Sequence, residues 1–254
     1  MSGTVYGVGL GPGAQDLLSV RADRLVRSGR HVAYFRKAGR PGQARRIAQG
    51  MLRDDAIELA MEYPVTTEIP LTDPRYNDCL AAFYADCTGR LLAIAEAGED
   101  VVVLCEGDPF FYGSFMHLHS RLAGLVPVEV VPGIMGMSGA WNATGLPITW
   151  GDDVLTVAMA TLPEEELVRR IRDTDDCGKR RRRRCRDTDA LGVMKIGRHL
   201  AKLRRAVAAA GRSDEAWLVE HAAMPEQRVT RLADVDRVTP YFSILLIHGQ
   251  GRRP

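Results

Sequence analysis

No stretch of this chain stays apolar for the roughly 20 residues that a helix needs to cross a bilayer. Its first residues, Met1-Ser2-Gly3-Thr4-Val5-Tyr6, lack the charged start and apolar core of a signal peptide. Cysteine is sparse, five in 254 residues with no C-x-x-C pair, which excludes a disulfide framework and points to the reducing cytoplasm. Charge of one sign is also missing from the body of the chain. The net +2 comes from Lys179, Arg180 to Arg184 and Arg186, bracketed by a direct repeat, Arg172-Asp173-Thr174-Asp175 and Arg186-Asp187-Thr188-Asp189. The unit 172–185 holds seven basic and three acidic residues, against 34 and 32 in the whole chain, so the remainder is net −2. A nucleic-acid binder spreads positive charge over a face. We therefore expect no nucleic-acid partner and no membrane partner, and read 172–188 as an exposed insertion loop. Five consecutive arginines without partners are too costly to bury.

What remains is 46% hydrophobic and 26% charged, the balance of a soluble globular protein. Its length allows one large or two modest domains. Strands at 4–10, 31–35, 56–61, 101–105 and 128–131 alternate with helices at 15–29, 42–52, 76–97 and 115–123, the pattern of an α/β domain with a parallel sheet. After Pro132-Gly133 the pattern changes. A helix at 134–144 precedes strands at 153–160, 190–195, 216–221, 227–232 and 241–247, with helices at 163–172 and 198–210. Short turns between several of these strands predict α+β with a mixed sheet. The expected organisation is thus an N-terminal α/β domain over 1–132 and a C-terminal domain over 133–254, with a cleft between them.

Gly9-Leu10-Gly11-Pro12-Gly13-Ala14 satisfies the spacing of a dinucleotide fingerprint. Pro12, however, removes an N–H that a pyrophosphate would use. The second strand ends Phe35-Arg36-Lys37, with no acid for a ribose. A tight strand-to-helix turn, or a Gly-Pro-Gly loop lining a cleft, fits equally well. Gly107-Asp108-Pro109-Phe110-Phe111-Tyr112-Gly113 follows an apolar strand, where open α/β sheets bind ligands. Asp108 either caps the next helix or contacts a ligand. His117 and His119, two apart on a helix, do not share a face, and no metal is expected. Cys105 reads as core.

Together these residues resemble one family over nearly the whole chain, the tetrapyrrole methylases of corrin biosynthesis. The landmarks are Gly9-x-Gly11-Pro12-Gly13, Gly107-Asp108-Pro109-x-x-Tyr112-Gly113, Val131-Pro132-Gly133 and Met194. Met61 to Glu68, Leu104 to Met116, Met194-Lys195-x-Gly197-Arg198 and Pro240-Tyr241-Phe242-Ser243 look like the branch that acts at C20 of precorrin-2. The resemblance implies a two-domain α/β homodimer that transfers a methyl group from S-adenosyl-L-methionine, held folded in the cleft, to precorrin-2, giving precorrin-3A. Cobalt-precorrin-2 is the alternative substrate.

By the same resemblance Pro12 lines the donor site, and Glu106, Gly107, Asp108 and Pro109 hold the methionine end. Met135 and Gly136 stand where the family has a hydroxyl-bearing pair. Met194 lies near the adenosine, Ala222 and Ala223 replace a Gly-Thr pair, and Ser243 returns to the site on the last strand. Arg36, Lys37, Lys195 and Arg198 are candidates for the substrate's carboxylates. Asp108, Tyr112 and His117 are candidates for the base that removes the C20 proton.

Overall fold

Val101–Cys105 (β4) is apolar at every position and buried at every position, as a strand covered on both faces must be. It lies at the centre of a five-stranded, all-parallel sheet. Val5–Gly9 (β1), His31–Lys37 (β2), Ile57–Tyr63 (β3) and Val128–Val131 (β5) complete the order β3-β2-β4-β1-β5. Glycine inside β1 answers a packing demand. A Cβ on Gly7 would stand 2.2 Å from the ring of Phe115, which heads the helix Phe115–Leu122 (α4). The computed structural model describes residues 1–65, 73–174 and 188–251.

Local chemistry sets the helix boundaries. The helix expected over 15–29 begins only at Val20 (α1, Val20–Ser28), because Ser19 Oγ accepts the Ala22 N–H at 3.1 Å and caps it. A short 3₁₀ turn, Gln15–Leu17, precedes it. Gln43–Ile47 (α2) is shorter than the expected 42–52. Pro74–Glu96 (α3) starts with Asp73 as cap and proline in its first turn. Strand β3 runs two residues beyond the expected end and pairs Tyr63 with Lys37.

The chain divides into two compact units, Met1–Gly136 and Met137–Pro254. The second holds the helix Gly136–Ala143 (α5) in nearly its entire length, then Leu155–Met159 (β6), Glu164–Arg172 (α6), Ala190–Met194 (β7), Leu200–Ala209 (α7), Trp217–Glu220 (β8), Arg228–Arg231 (β9) and Ser243–Ile247 (β10). Its sheet runs β6-β7-β10-β8-β9, parallel only between β6 and β7. Leu191, Val193, Leu218, Leu245 and Ile247 build its core with Leu167 and Ile171 of α6 and Leu203 and Val207 of α7. The fold class is therefore α/β, with a parallel sheet in the first unit and a mixed sheet in the second.

Most of the expected insertion loop, 175–187, lies outside the described residues. Its two described ends are buried at their threonines. Thr174 is 4% exposed and Thr188 2%. Thr174 Oγ donates to Ile171 O at 2.6 Å, and its carbonyl accepts from the buried Arg212 at 2.7 Å. Thr188 Oγ lies 2.8 Å from Ala190 O. The threonine of the repeat thus follows α6 in one copy and precedes β7 in the other.

Candidate active site

In the first unit, three strands end in turns that touch backbone to backbone. Gly11 and Gly107, both left-handed at φ +73° and +67°, exchange hydrogen bonds: Gly107 N donates to Gly11 O at 2.8 Å, and Gly11 N to Gly107 O at 3.3 Å. Gly133, after β5, closes the group. A Cβ there would stand 2.2 Å from Gly107 O, and one on Gly9 would stand 2.6 Å from Gly133 N. No side chain fits at either position, and the turns after β1, β4 and β5 form one glycine knot. Pro12 is buried just beyond it.

Asp108 fastens this knot. Its Oδ1 accepts the Phe110 N–H at 2.9 Å and its Oδ2 the Gly133 N–H at 3.1 Å. Both oxygens serve the backbone, one within its own turn and one across to the β5 turn. Pro109 is buried behind it. Met135 and Gly136 follow the β5 turn. The face of Gly107 toward them is packed against backbone: an added Cβ would meet Gly136 N at 3.5 Å and Met135 Cα at 3.8 Å, ordinary van der Waals contact. The β4 and β5 turns therefore make a cradle walled by peptide groups.

Glu106, the first residue beyond β4, behaves differently from Asp108. Its side chain is exposed, and neighbouring protein displaces enough water to push the carboxyl up from its ordinary value. A hydrogen bond from the Ala44 backbone pulls weakly the other way. Among the described residues it has no ion-pair partner. The neighbouring Cys105 thiol is also pushed up by burial, which keeps it an inert core group as expected. Tyr112, farther along the loop, is 45% exposed and left-handed at φ 56°. His117 is on the exposed face of α4, with its ring stacked on Tyr84 at 4.5 Å.

In the second unit the matching residues gather along one edge of the mixed sheet. Met194 ends β7 opposite Met159, Glu220 ends β8, and Ser243, beginning β10, pairs with Glu220. Ala222 and Ala223 follow β8. This edge carries side chains in left-handed backbone: Lys195 at φ 56°, His221 at 49° and Ala223 at 58°. Such conformations cost an L-residue roughly 1–2 kcal/mol each and cluster where function requires them. Ser243 is 1% exposed and its hydroxyl donates to Pro240 O at 2.7 Å, so it braces the edge. Ala223 N donates to Gln227 Oε1 at 2.7 Å. Glu220 is buried and ion-paired to Arg237. His221 was not singled out from the sequence. Its backbone N–H bonds Phe242 O at 2.8 Å, and its Nδ1 is buried without a hydrogen-bond partner among the described residues. No sequence signal marks that orphan atom, because it arises from strand pairing.

Of the four basic candidates, Arg36 donates to Glu62 at 2.7 Å across the β2–β3 register, and Lys37 and Arg198 are engaged as well. Lys195 and Arg198 are exposed. No group of three or more metal-ligating side chains gathers among the described residues. No helix among them is long and apolar enough to cross a membrane.

These strand-end turns and the two-sheet architecture coincide with a known family. The family model for Tetrapyrrole (Corrin/Porphyrin) Methylases matches residues 4–236, and the chain belongs to that family. It is 46% identical over 253 residues to the precorrin-2 C(20)-methyltransferase of a Sinorhizobium species, covering 99% of this chain and 98% of that protein. It is 26% identical to the cobalt-precorrin-2 C(20)-methyltransferase of Salmonella typhimurium, covering 98% of each chain. Among solved structures, the uroporphyrin-III C-methyltransferase of Thermus thermophilus in complex with S-adenosylhomocysteine matches with a TM-score of 0.64 over 98% of both chains. At 23% identity that likeness speaks for the fold alone.

Proposed function

We propose that this chain methylates precorrin-2 at C20, giving precorrin-3A, with S-adenosyl-L-methionine as donor. The observation that carries this reading is the 46% identity, over almost the full length of both chains, to a precorrin-2 C(20)-methyltransferase. The 26% identity to the cobalt-precorrin-2 enzyme supports the metal-free substrate over the cobalt-containing one.

The residues present fit such a donor. The turns at Gly107 and Gly133 offer peptide groups to an amino acid's carboxylate and ammonium. Glu106 sets an uncompensated carboxylate beside a ligand that is itself cationic. In this reading Pro12 and the loop from Glu106 to Pro109 hold the methionine end, with Met135 and Gly136 alongside. Met194, Ala222 and Ala223 flank the adenosine, and Ser243 braces their strand edge.

When bound, S-adenosyl-L-methionine supplies a methyl group already activated by its sulfonium charge. The protein's work is then proximity and orientation. The glycine knot fixes the backbone that orients the donor, and Asp108 keeps the β4 and β5 turns in register. Lys195 and Arg198, exposed at the edge of the second sheet, meet the carboxylates of the substrate.

The family likeness also supports a cytoplasmic homodimer, which light scattering at twice the chain mass would bear out. The deciding experiment is incubation with S-adenosyl-L-methionine and precorrin-2, with and without cobalt, followed by mass spectrometry and carbon-13 NMR of the product. One added methyl at C20 of the metal-free substrate is expected. A methyl on another carbon overturns the C20 assignment, and no transfer to any tetrapyrrole overturns the whole reading.

A further inference from the structure

Two histidines of the second unit stand one residue beyond a strand, and their rings are bonded in opposite ways. His248, after β10, has Nδ1 3.0 Å from Pro147 O and Nε2 3.2 Å from Thr144 Oγ, so both ring nitrogens hold the chain that follows α5. His221, after β8, uses neither nitrogen in this way among the described residues. We propose that His221 binds the methyl donor, its Nε2–H donating a hydrogen bond to an acceptor of the adenosine. The proposal rests on the methyltransferase reading above, in which the adjoining Ala222 and Ala223 flank that group.

The backbone fixes where this ring stands. The His221 N–H donates to Phe242 O at 2.8 Å, and His221 O accepts from the Met224 N–H at 3.0 Å. Its φ of 49° is left-handed, a region that histidine and asparagine enter more readily than most side chains. The ring leans on Phe242, with centroids 6.2 Å apart and planes at 44°. Strand β8 runs in the same direction as β6 and β7, since both β7 and β8 are antiparallel to β10. His221 therefore lies on the edge where all three strands end, the edge that carries Met194 and Ala222.

The bonding then places the ring proton. Nδ1 is buried and has no hydrogen-bond partner among the described residues, whereas Nε2 is not shut away, and the residue as a whole is partly exposed. A buried N–H without an acceptor forfeits the hydrogen bond it makes in water. In the neutral imidazole the proton accordingly belongs on Nε2, which assigns the tautomer from the surroundings. The result is a donor at the accessible end of the ring. Neighbouring polar groups do not claim it. Glu220 is ion-paired with Arg237, Gln227 Oε1 accepts the Ala223 N–H at 2.7 Å, and the Ser243 hydroxyl donates to Pro240 O at 2.7 Å. Adenosine answers such a donor, because its purine nitrogens and ribose oxygens are acceptors, and the alanines at 222 and 223 add no polar side chain that would compete for them.

The test compares the full chain with His221→Asn and His221→Gln. Both variants keep a side-chain amide. The asparagine N–H stops near the position of Nδ1, whereas glutamine carries its N–H out to that of Nε2. Asparagine also suits left-handed backbone, so H221N should keep Tm within about 2 °C of the wild type. S-adenosylhomocysteine affinity by calorimetry should fall roughly tenfold in H221N and stay within about threefold of the wild type in H221Q. Nitrogen-15 NMR of the wild type, with the His221 signals assigned by their loss in H221Q, should show the proton on Nε2 and a shift of that nitrogen when S-adenosylhomocysteine is added. That measurement needs no folded H221N. Unchanged affinity in H221N, an equal loss in both variants, or an Nε2 signal unmoved by S-adenosylhomocysteine overturns the proposal and leaves methyl transfer to precorrin-2 standing. A wild type that does not bind S-adenosylhomocysteine removes the methyltransferase reading, and the proposal with it.

Discussion

The two units present their strand ends in opposite ways. In the first, the turns after β1, β4 and β5 are stripped to glycine, so backbone meets backbone, and the left-handed positions at Gly11 and Gly107 belong to residues without a Cβ. In the second, the left-handed positions after β7 and β8 are occupied by Lys195, His221 and Ala223, which pay for their side chains in strain. The first rim is a surface of peptide groups and the second a surface of side chains. Tyr112, left-handed in the first unit, is the point at which this division is least clean.

The comparison breaks most readily at the knot. Gly133→Ala puts a Cβ 2.2 Å from the carbonyl of Gly107, where only backbone can yield. It should cost about 3 kcal/mol of stability, read from the denaturant midpoint, and abolish S-adenosylhomocysteine binding. Asp108→Ala leaves the Phe110 and Gly133 amides without their acceptor. A loss of about 2 kcal/mol is expected, so the effect on donor binding should come with a clear drop in Tm.

Lys195→Gly sharpens the contrast from the other side. Relief of the left-handed strain should leave stability within about 1 kcal/mol of the wild type or raise it. KM for precorrin-2 should rise roughly tenfold through loss of a charged contact. A variant that loses stability instead would show that the second rim is built for packing.

Solvent screening at the exposed Glu106 leaves the smallest effect, on the pH dependence of stability. Folding raises the carboxyl of Glu106 from 4.5 to about 7. Between those values the folded chain holds a proton that the unfolded chain has released, so this group withdraws stability as pH rises through that window. Glu106→Gln should flatten that part of the Tm–pH curve and raise Tm at pH 8 relative to pH 4.

Much of this was legible in the sequence because it was written locally. The apolar run of β4 announced a strand covered on both faces, and the helical period over 76–97 announced α3, though not the two residues by which it starts earlier. The Gly-rich loops stood out as turns where ligands bind, with the pyrophosphate reading already weakened by Pro12. The rest depended on pairing between distant segments. Nothing near Asp108 in sequence says that its second oxygen crosses to Gly133. Nothing near Arg36 says that Glu62 lies opposite it. The start of α1 was misplaced because Ser19 sits inside an apolar period that suggests an earlier beginning. Thr174 and Thr188 were read as part of a solvent-facing stretch by the charge around them, and only their contacts with Ile171, Arg212 and Ala190 show otherwise.

The repeated Arg-Asp-Thr-Asp also bears on how such a chain changes over time. An arbitrary stretch of 14 residues dropped between α6 and β7 would cut one of them off from the residues on which it ends. A stretch that begins with a copy of the tetrapeptide following it creates no foreign junction. Thr174 still stands just past the helix and Thr188 just before the strand, each with its own hydrogen bonds. Duplication lets a gene lengthen a connection while both neighbours keep the sequence they fold on, leaving the added length free to drift toward any composition, including a run of arginines.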